Sequence, residues 1–195
     1  MKVAFGMKAH SGWAVLVAVG EQDGRSEIVD RRRVELVEHD WEKQPYHAAE
    51  DLQKEAARNL VQRGIEVSRR IAVREMRAAV RRERDRRNKV GACAILVGNA
   101  MPQWSVEEIL AVHLRMHQAE GVLFRDALIR AANKCALKVV MIPEKQLRAH
   151  AERMLKTAAT VLDKKIAALG KSIGPPWAKD QKDAALAALV ALASK

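Results

Sequence analysis

Short apolar runs separated by turn residues open the chain. Val3 to Ala9 is apolar apart from Gly6 and Lys8, His10-Ser11-Gly12 is a turn signal, and Trp13 to Val19 is a second run. Gly20 to Gly24 turns the chain again, and Glu27 to Glu38 alternates, with Ile28, Val34 and Leu36 among charges. This spacing predicts three antiparallel strands in a meander. Beyond Pro45 the period lengthens. Leu52, Ala56, Leu60, Val67, Ile71, Met76 and Val80 recur at helical spacing as far as Lys89, with Gly64 a candidate break and Gly91 the end. Ala92 to Val97 then has the length of a strand and is closed by Gly98-Asn99. Ser105-Val106-Glu107-Glu108 is a capping box, and the helix it opens is expected to run on through Leu128. Leu137 to Ile142 is the next strand, stopped by Pro143. Leu147, Ala151, Met154, Ala158, Val161 and Leu169 mark another amphipathic helix, Gly170 to Trp177 a loop, and Lys179 to Ala193 a final Ala/Leu helix. No internal repeat is evident. The order β-β-β-α-β-α-β-α-α describes an α/β mixed sheet with helices on its faces.

Composition sharpens this picture. The 195 residues include 33 alanines but only seven aromatics, a mixture that suits closely packed helices and argues against an all-β sandwich. An apolar content of 49% excludes a disordered tail protein, and two cysteines exclude a disulfide scaffold. Cys93 and Cys135 are expected to be small buried thiols, since no CxxC or zinc-type His/Cys spacing occurs. Ala184 to Ala193, the longest apolar run, has about half of the ~20 residues a membrane span requires. A cytoplasmic protein with no membrane contact is the expectation.

Four stretches carry a family likeness. Gly6-Met7-Lys8-Ala9-His10-Ser11-Gly12-Trp13-Ala14 is similar to a first strand and hairpin of the form Gly-x-Asp-x-Gly with a Gly-aromatic pair. Ala94-Ile95-Leu96-Val97 resembles a fourth strand that normally ends in a carboxylate. His117 to Val122, continued by Pro143-Glu144-Lys145-Gln146-Leu147, is similar to a helix and fifth strand. Asp180-Gln181-Lys182-Asp183-Ala184-Ala185-Leu186-Ala187 resembles the closing motif Asp-x-x-Asp-Ala-x-x-Ala. Arriving in this order, they resemble the ribonuclease H-like superfamily, in its RuvC-like resolvase branch. The resemblance implies one domain over 1-195: a five-stranded sheet, three strands antiparallel and two added in parallel through helical crossovers, with helices on both faces. A long basic helical segment at about 46-89 would belong to it.

The same resemblance implies a site built from acidic residues of strands one and four and the last helix, holding two divalent metals (Mg²⁺ or Mn²⁺) for phosphoryl displacement. Here the strand-one position is Lys8, and strand four ends Leu96-Val97-Gly98-Asn99 without a carboxylate. Asp180 and Asp183 remain, three apart on one helix face. The expectation is a degenerate metal site in which Lys8 forms an ion pair with one or both aspartates. Glu120, beside Gly121, is a candidate replacement carboxylate, so Asp180, Asp183 and Glu120 are the candidate catalytic residues of any surviving nuclease.

Other residues bear on chemistry less directly. Lys8, His10 and Ser11 form a polar hairpin tip where open sheets place ligands, and are candidates for an anion contact. His113 and His117 share a helix face at i,i+4 but lack a visible third ligand, so packing at the core edge is expected and no metal is assigned. Gly170-Lys171-Ser172 ends like a phosphate loop, but Lys165 occupies the required glycine position and excludes it.

Charge makes the strongest compositional signal. The net charge is +11, and Arg69 to Lys89 holds ten Lys/Arg against three acids, most of that excess. Arg81, Arg82, Arg86 and Arg87 are therefore candidate phosphate contacts, and the lack of aromatics favours a duplex or structured nucleic acid over a single strand. Three functions remain open: a nucleic-acid-associated protein without ordinary two-metal activity, a metal-dependent structure-specific nuclease with a rebuilt site, or a homodimeric interaction module using the long helix and the C-terminal helix.

Overall fold

The computed structural model describes residues 1–194. Three strands, β1 (Lys2–His10), β2 (Trp13–Gln22) and β3 (Arg25–Glu35), form the antiparallel meander. β4 (Lys89–Val97) adds parallel to β1, and β5 (Lys138–Pro143) parallel to β4, giving the order β3-β2-β1-β4-β5. The helices are α1 (Lys54–Asp85), α2 (Val106–Leu110), α3 (His113–Lys134), α4 (Leu147–Leu155), α5 (Ala159–Ile173) and α6 (Lys179–Ala193). The expected α/β class and the mixed five-stranded sheet are both present. No helix among the described residues is long and apolar enough to cross a membrane.

The central strands read as continuous apolar runs because both faces of the sheet are covered. Val3, Phe5 and Met7 of β1, Leu16 of β2 and Ile95 of β4 pack under α1, α2 and α3. Ala4 of β1, Val15, Val17 and Val19 of β2 and Leu96 of β4 pack under α4, α5 and α6. Period-two alternation therefore puts Ala4, Gly6, Lys8 and His10 on the α6 side.

α6 reaches the sheet unusually closely. A Cβ on Gly6 would fall within the α6 backbone at Ala184 and Ala188, so only glycine fits there. Ala184, Ala185, Ala187, Ala188 and Ala191 are all buried. Their small side chains let the helix lie flat across β1, β2 and β4. The alanine-rich face expected to serve a partner is thus spent inside the chain.

Five helix boundaries differ from the periodic expectation. Residues 40-49 form two short 3₁₀ turns, Asp40–Lys43 and His47–Ala49, instead of opening α1. Tertiary anchors hold them: Pro45 sits against Gly64, and Glu120 accepts from the His47 amide at 3.2 Å. Gly64 does not break α1, because its missing side chain makes room for Pro45. The helix expected to continue from Ser105 stops at Leu110, where Val112 is extended and Arg115 donates to the Glu108 carbonyl at 2.8 Å. The capping box itself is formed, with Ser105 and Glu108 bonding reciprocally at 3.2 and 2.8 Å. The helix expected over 147-169 divides at Lys156, which is left-handed (φ 49°). Glu152 there accepts from the Ala159 amide at 2.7 Å and caps α5. Gly170 lies inside α5, where the Trp177 ring occupies the space a side chain would take. Gly91 belongs to β4 and not to a helix end; α1 closes earlier, through Arg87 (φ 61°) and the bond from the Asn88 amide to the Glu83 carbonyl at 2.8 Å.

Candidate functional site

β1 and α6 run in opposite directions, and their close crossing at Gly6 determines what meets further along. Two residues beyond Gly6 the strand presents Lys8, and within the turn that leads to Ala184 the helix presents Asp180 and Asp183. Lys8 Nζ lies 3.0 Å from Asp180 Oδ1 and 3.1 Å from Asp183 Oδ2. The expected approach of Lys8 to the two aspartates is what the structure shows.

A third carboxylate, from Glu144, joins them at 2.7 Å. Glu144 follows β5 directly, and parallel strands finish at the same sheet edge, so the ends of β1 and β5 face one cleft. That topological signal was available in the sequence, next to the Pro143 stop. Lys8 is only 7% exposed and its ammonium has three protons to donate. Three carboxylates at 2.7–3.1 Å take all three. Burial alone would push the Lys8 ammonium down, but the bonds to Glu144, Asp180 and Asp183 outweigh it and raise it well above the ordinary lysine range. Burial likewise pushes the Asp180 carboxyl up, and the hydrogen bond and charge of Lys8 reverse this to hold it below the usual range.

Around this centre lies a ring of further polar and charged groups. His10 Nε2 is 3.1 Å from Asp180 Oδ2, and its ring stacks on Trp13 with centroids 4.2 Å apart. Arg33 covers the same indole at 4.0 Å. Lys179 bonds Asp183 at 2.6 Å. Ser11 is exposed at the hairpin tip. A cleft of about 430 Å³ opens beside the cluster at the ends of β4 and β5, walled by Arg125, Lys145, Lys179 and Glu144. The loop leading into α6 is pinned by Arg31, which donates to the carbonyls of Gly174 at 2.9 Å and Pro175 at 3.2 Å. Trp177 is held by its bond to the Ile166 carbonyl at 3.1 Å.

Glu120 is not part of this cluster. It lies on α3, in the layer on the opposite face of the sheet, and both its oxygens are 2.9 Å from His47 Nδ1. Its place beside Gly121 suggested it, and that position in the sequence could not tell which face of the sheet its helix covers.

The basic segment divides between structure and surface. Arg82 reaches Asp30 at 3.6 Å, and Arg86 donates to the Val29 carbonyl at 2.8 Å and to Glu83 at 2.7 Å. Both fasten the end of α1 to β3. Arg87 is exposed just past the helix. Arg81 lies in a groove of about 770 Å³ between α1 and α3, together with Arg69, Arg70, Arg74, Arg77, Arg130 and Lys134. Asp126 pairs with Arg69 and Arg130, and Glu38 with Arg70 and Arg74. Arg77, Arg81 and Lys134 have no carboxylate partner among the described residues. The groove cations contributed by α3 were not visible in the linear charge run, because Arg130 and Lys134 join it only through helix packing.

No family model matches the chain, and no curated protein matches it. Among solved structures it is similar to Thermus thermophilus RuvC, at 13% identity over 96% of this chain and 92% of that one, with a TM-score of 0.49. It is also similar to T. thermophilus RuvC in complex with Holliday junction substrate, at 12% identity, 97% and 92% coverage and a TM-score of 0.52. The chain has a RuvC-like, ribonuclease H-like fold.

Proposed function

We propose that the chain is a nucleic-acid-binding protein on a RuvC-like scaffold, gripping the phosphate backbone of duplex or structured nucleic acid without ordinary two-metal cleavage. The observation that carries the binding is the α1–α3 groove, whose Arg77, Arg81 and Lys134 have no carboxylate partner among the described residues. Such cations gain most by meeting phosphates and releasing counterions. The RuvC structure with a Holliday junction substrate supports a nucleic-acid partner for this fold.

The second half of the proposal rests on Lys8. A divalent metal needs free carboxylate oxygens. Here one oxygen each of Glu144, Asp180 and Asp183 is bonded to an ammonium at the centre of the set. This donor set does not fit a metal pair, and β4 contributes no carboxylate. The convergence of three carboxylates is what favours the competing reading, a metal-dependent nuclease with Asp180 and Asp183 in a rebuilt site.

Fluorescence anisotropy with labelled duplex, branched DNA and RNA at graded salt tests the proposal. Affinity should fall steeply as salt rises, and Arg77→Glu with Arg81→Glu should weaken binding on every sequence and flatten the log–log salt slope by roughly one unit per lost contact. Adding Mg²⁺ or Mn²⁺ should leave the branched substrate uncut. Absence of binding at low salt would refute the binding reading; cleavage abolished by Asp183→Asn would establish the nuclease instead.

A further inference from the structure

On the layer opposite the Lys8 cluster, three histidines that the sequence keeps apart come together. His113 and His117 stand one turn apart at the start of α3, both exposed rather than packed at the core edge. The missing third partner is His47, delivered by the 3₁₀ turn His47–Ala49 between β3 and α1. One ring nitrogen from each of the three lies within 4.8 Å of the others, and the Nε2 atoms of His113 and His117 are 3.1 Å apart.

We propose that His47, His113 and His117 form a binding site for a zinc-class divalent ion. Zn–N bonds of about 2.0–2.1 Å in a tetrahedral site place ligand nitrogens about 3.3–3.4 Å apart. The pair on α3, at 3.1 Å, is already near that spacing, and small rotations of the side chains would close the third side.

Two further features prepare His47 for this role. Glu120 is 2% exposed and directs both oxygens at His47 Nδ1, while one of them also takes the His47 amide. A carboxylate that holds Nδ1–H leaves Nε2 as a bare lone pair in the neutral ring, the tautomer a metal requires. Nε2 of His47 is itself buried and has no hydrogen-bond partner. A buried nitrogen is seldom left unsatisfied without a reason, and a metal supplies one. Three imidazoles select borderline first-row ions over Mg²⁺ or Ca²⁺. Because His113 and His117 face solvent, the fourth position is open to water or another small ligand. The ion would tie the segment between β3 and α1 to the start of α3.

This site is independent of the nucleic-acid reading, and metal binding alone tests it. Chelator-treated full-length protein is titrated with Zn²⁺ by calorimetry and with Co²⁺ by visible absorption. One ion should bind per chain, Co²⁺ should show the intense d–d bands of a tetrahedral site, and Zn²⁺ should raise the melting temperature. His113→Ala and His117→Ala alter exposed side chains, so circular dichroism should remain native while binding and the bands disappear. Glu120→Gln should keep the bands but weaken affinity by about 10–100-fold. No stoichiometric binding by the wild type would overturn the proposal, as would binding that survives both histidine substitutions.

Discussion

An ammonium and a divalent cation ask different things of a carboxylate. Mg²⁺ demands an ordered shell of six oxygens, whereas a lysine needs one acceptor for each of its three protons. Lys8 finds those three in Glu144, Asp180 and Asp183, which is why a buried lysine is tolerated here. Lys8→Ala should leave three carboxylates facing one another, with Lys179 and His10 as their remaining partners among the described residues, costing about 3 kcal/mol of stability at neutral pH by urea denaturation. The pH dependence of that difference has a definite sign. Lys8 is raised above its ordinary 10.5, so its contribution is complete below that pH and is lost only as pH climbs through the higher folded value. Asp180 is lowered beneath its ordinary 3.8, so its contribution is complete above that pH and is lost as acid takes it through the lower folded value. The gap between wild type and Lys8→Ala should therefore be level across pH 5–9, within the window those ordinary values bound, and shrink below 3.8. A gap that vanished near pH 7 would mean that another group governs the cluster. The pairing of Lys8 with the aspartates was legible because position 8 aligned with an expected acid on strand one. Glu144 was legible only through topology: Pro143 marks the end of β5, and parallel strands finish at one sheet edge, a step that residue spacing alone does not supply.

At the scale of elements, the meeting of Lys8 with its acids depends on how closely α6 crosses β1. The last helix was legible to the residue, Lys179–Ala193, because a proline-rich loop precedes it and an unbroken Ala/Leu pattern follows. The division of 147-169 was not legible. Apolar spacing persists across Lys156, and the break comes from a left-handed residue and a Glu152 cap that no period encodes. The same holds for residues 40-49, whose conformation is imposed by Gly64 and Glu120, distant in sequence. Gly6→Ala tests the crossing. Its methyl would meet the α6 backbone instead of a side chain that could turn aside, so the helix must move or the strand must yield. The expected cost is about 1–3 kcal/mol or more. Lys8 should also lose its high pKa, read as a ¹⁵N-lysine resonance returning toward the ordinary lysine range. A variant as stable as wild type would show that α6 does not lie so close.

Across the whole molecule, the sheet separates two kinds of charge. The layer of α1 and α3 carries the groove and most of the net positive charge, while the α6 side carries the acids and the lysine that satisfies them. The proposed binding of a polyanion and the charge balance at the end of β1 are therefore separable, and variants in one should leave the other intact. Whether an ammonium has taken the place of a divalent ion at the end of β1 is read most directly from thermal melting in graded Mg²⁺, with wild type and Lys8→Asp side by side. Mg²⁺ suits this test because it prefers oxygen and does not engage the histidines of α3. Wild type should melt at the same temperature at every concentration. Lys8→Asp, with four carboxylates converging, should melt lower without metal and regain stability as Mg²⁺ is added, by mass action. A wild-type melting temperature that rose with Mg²⁺, and stopped rising in Asp183→Asn, would contradict the account.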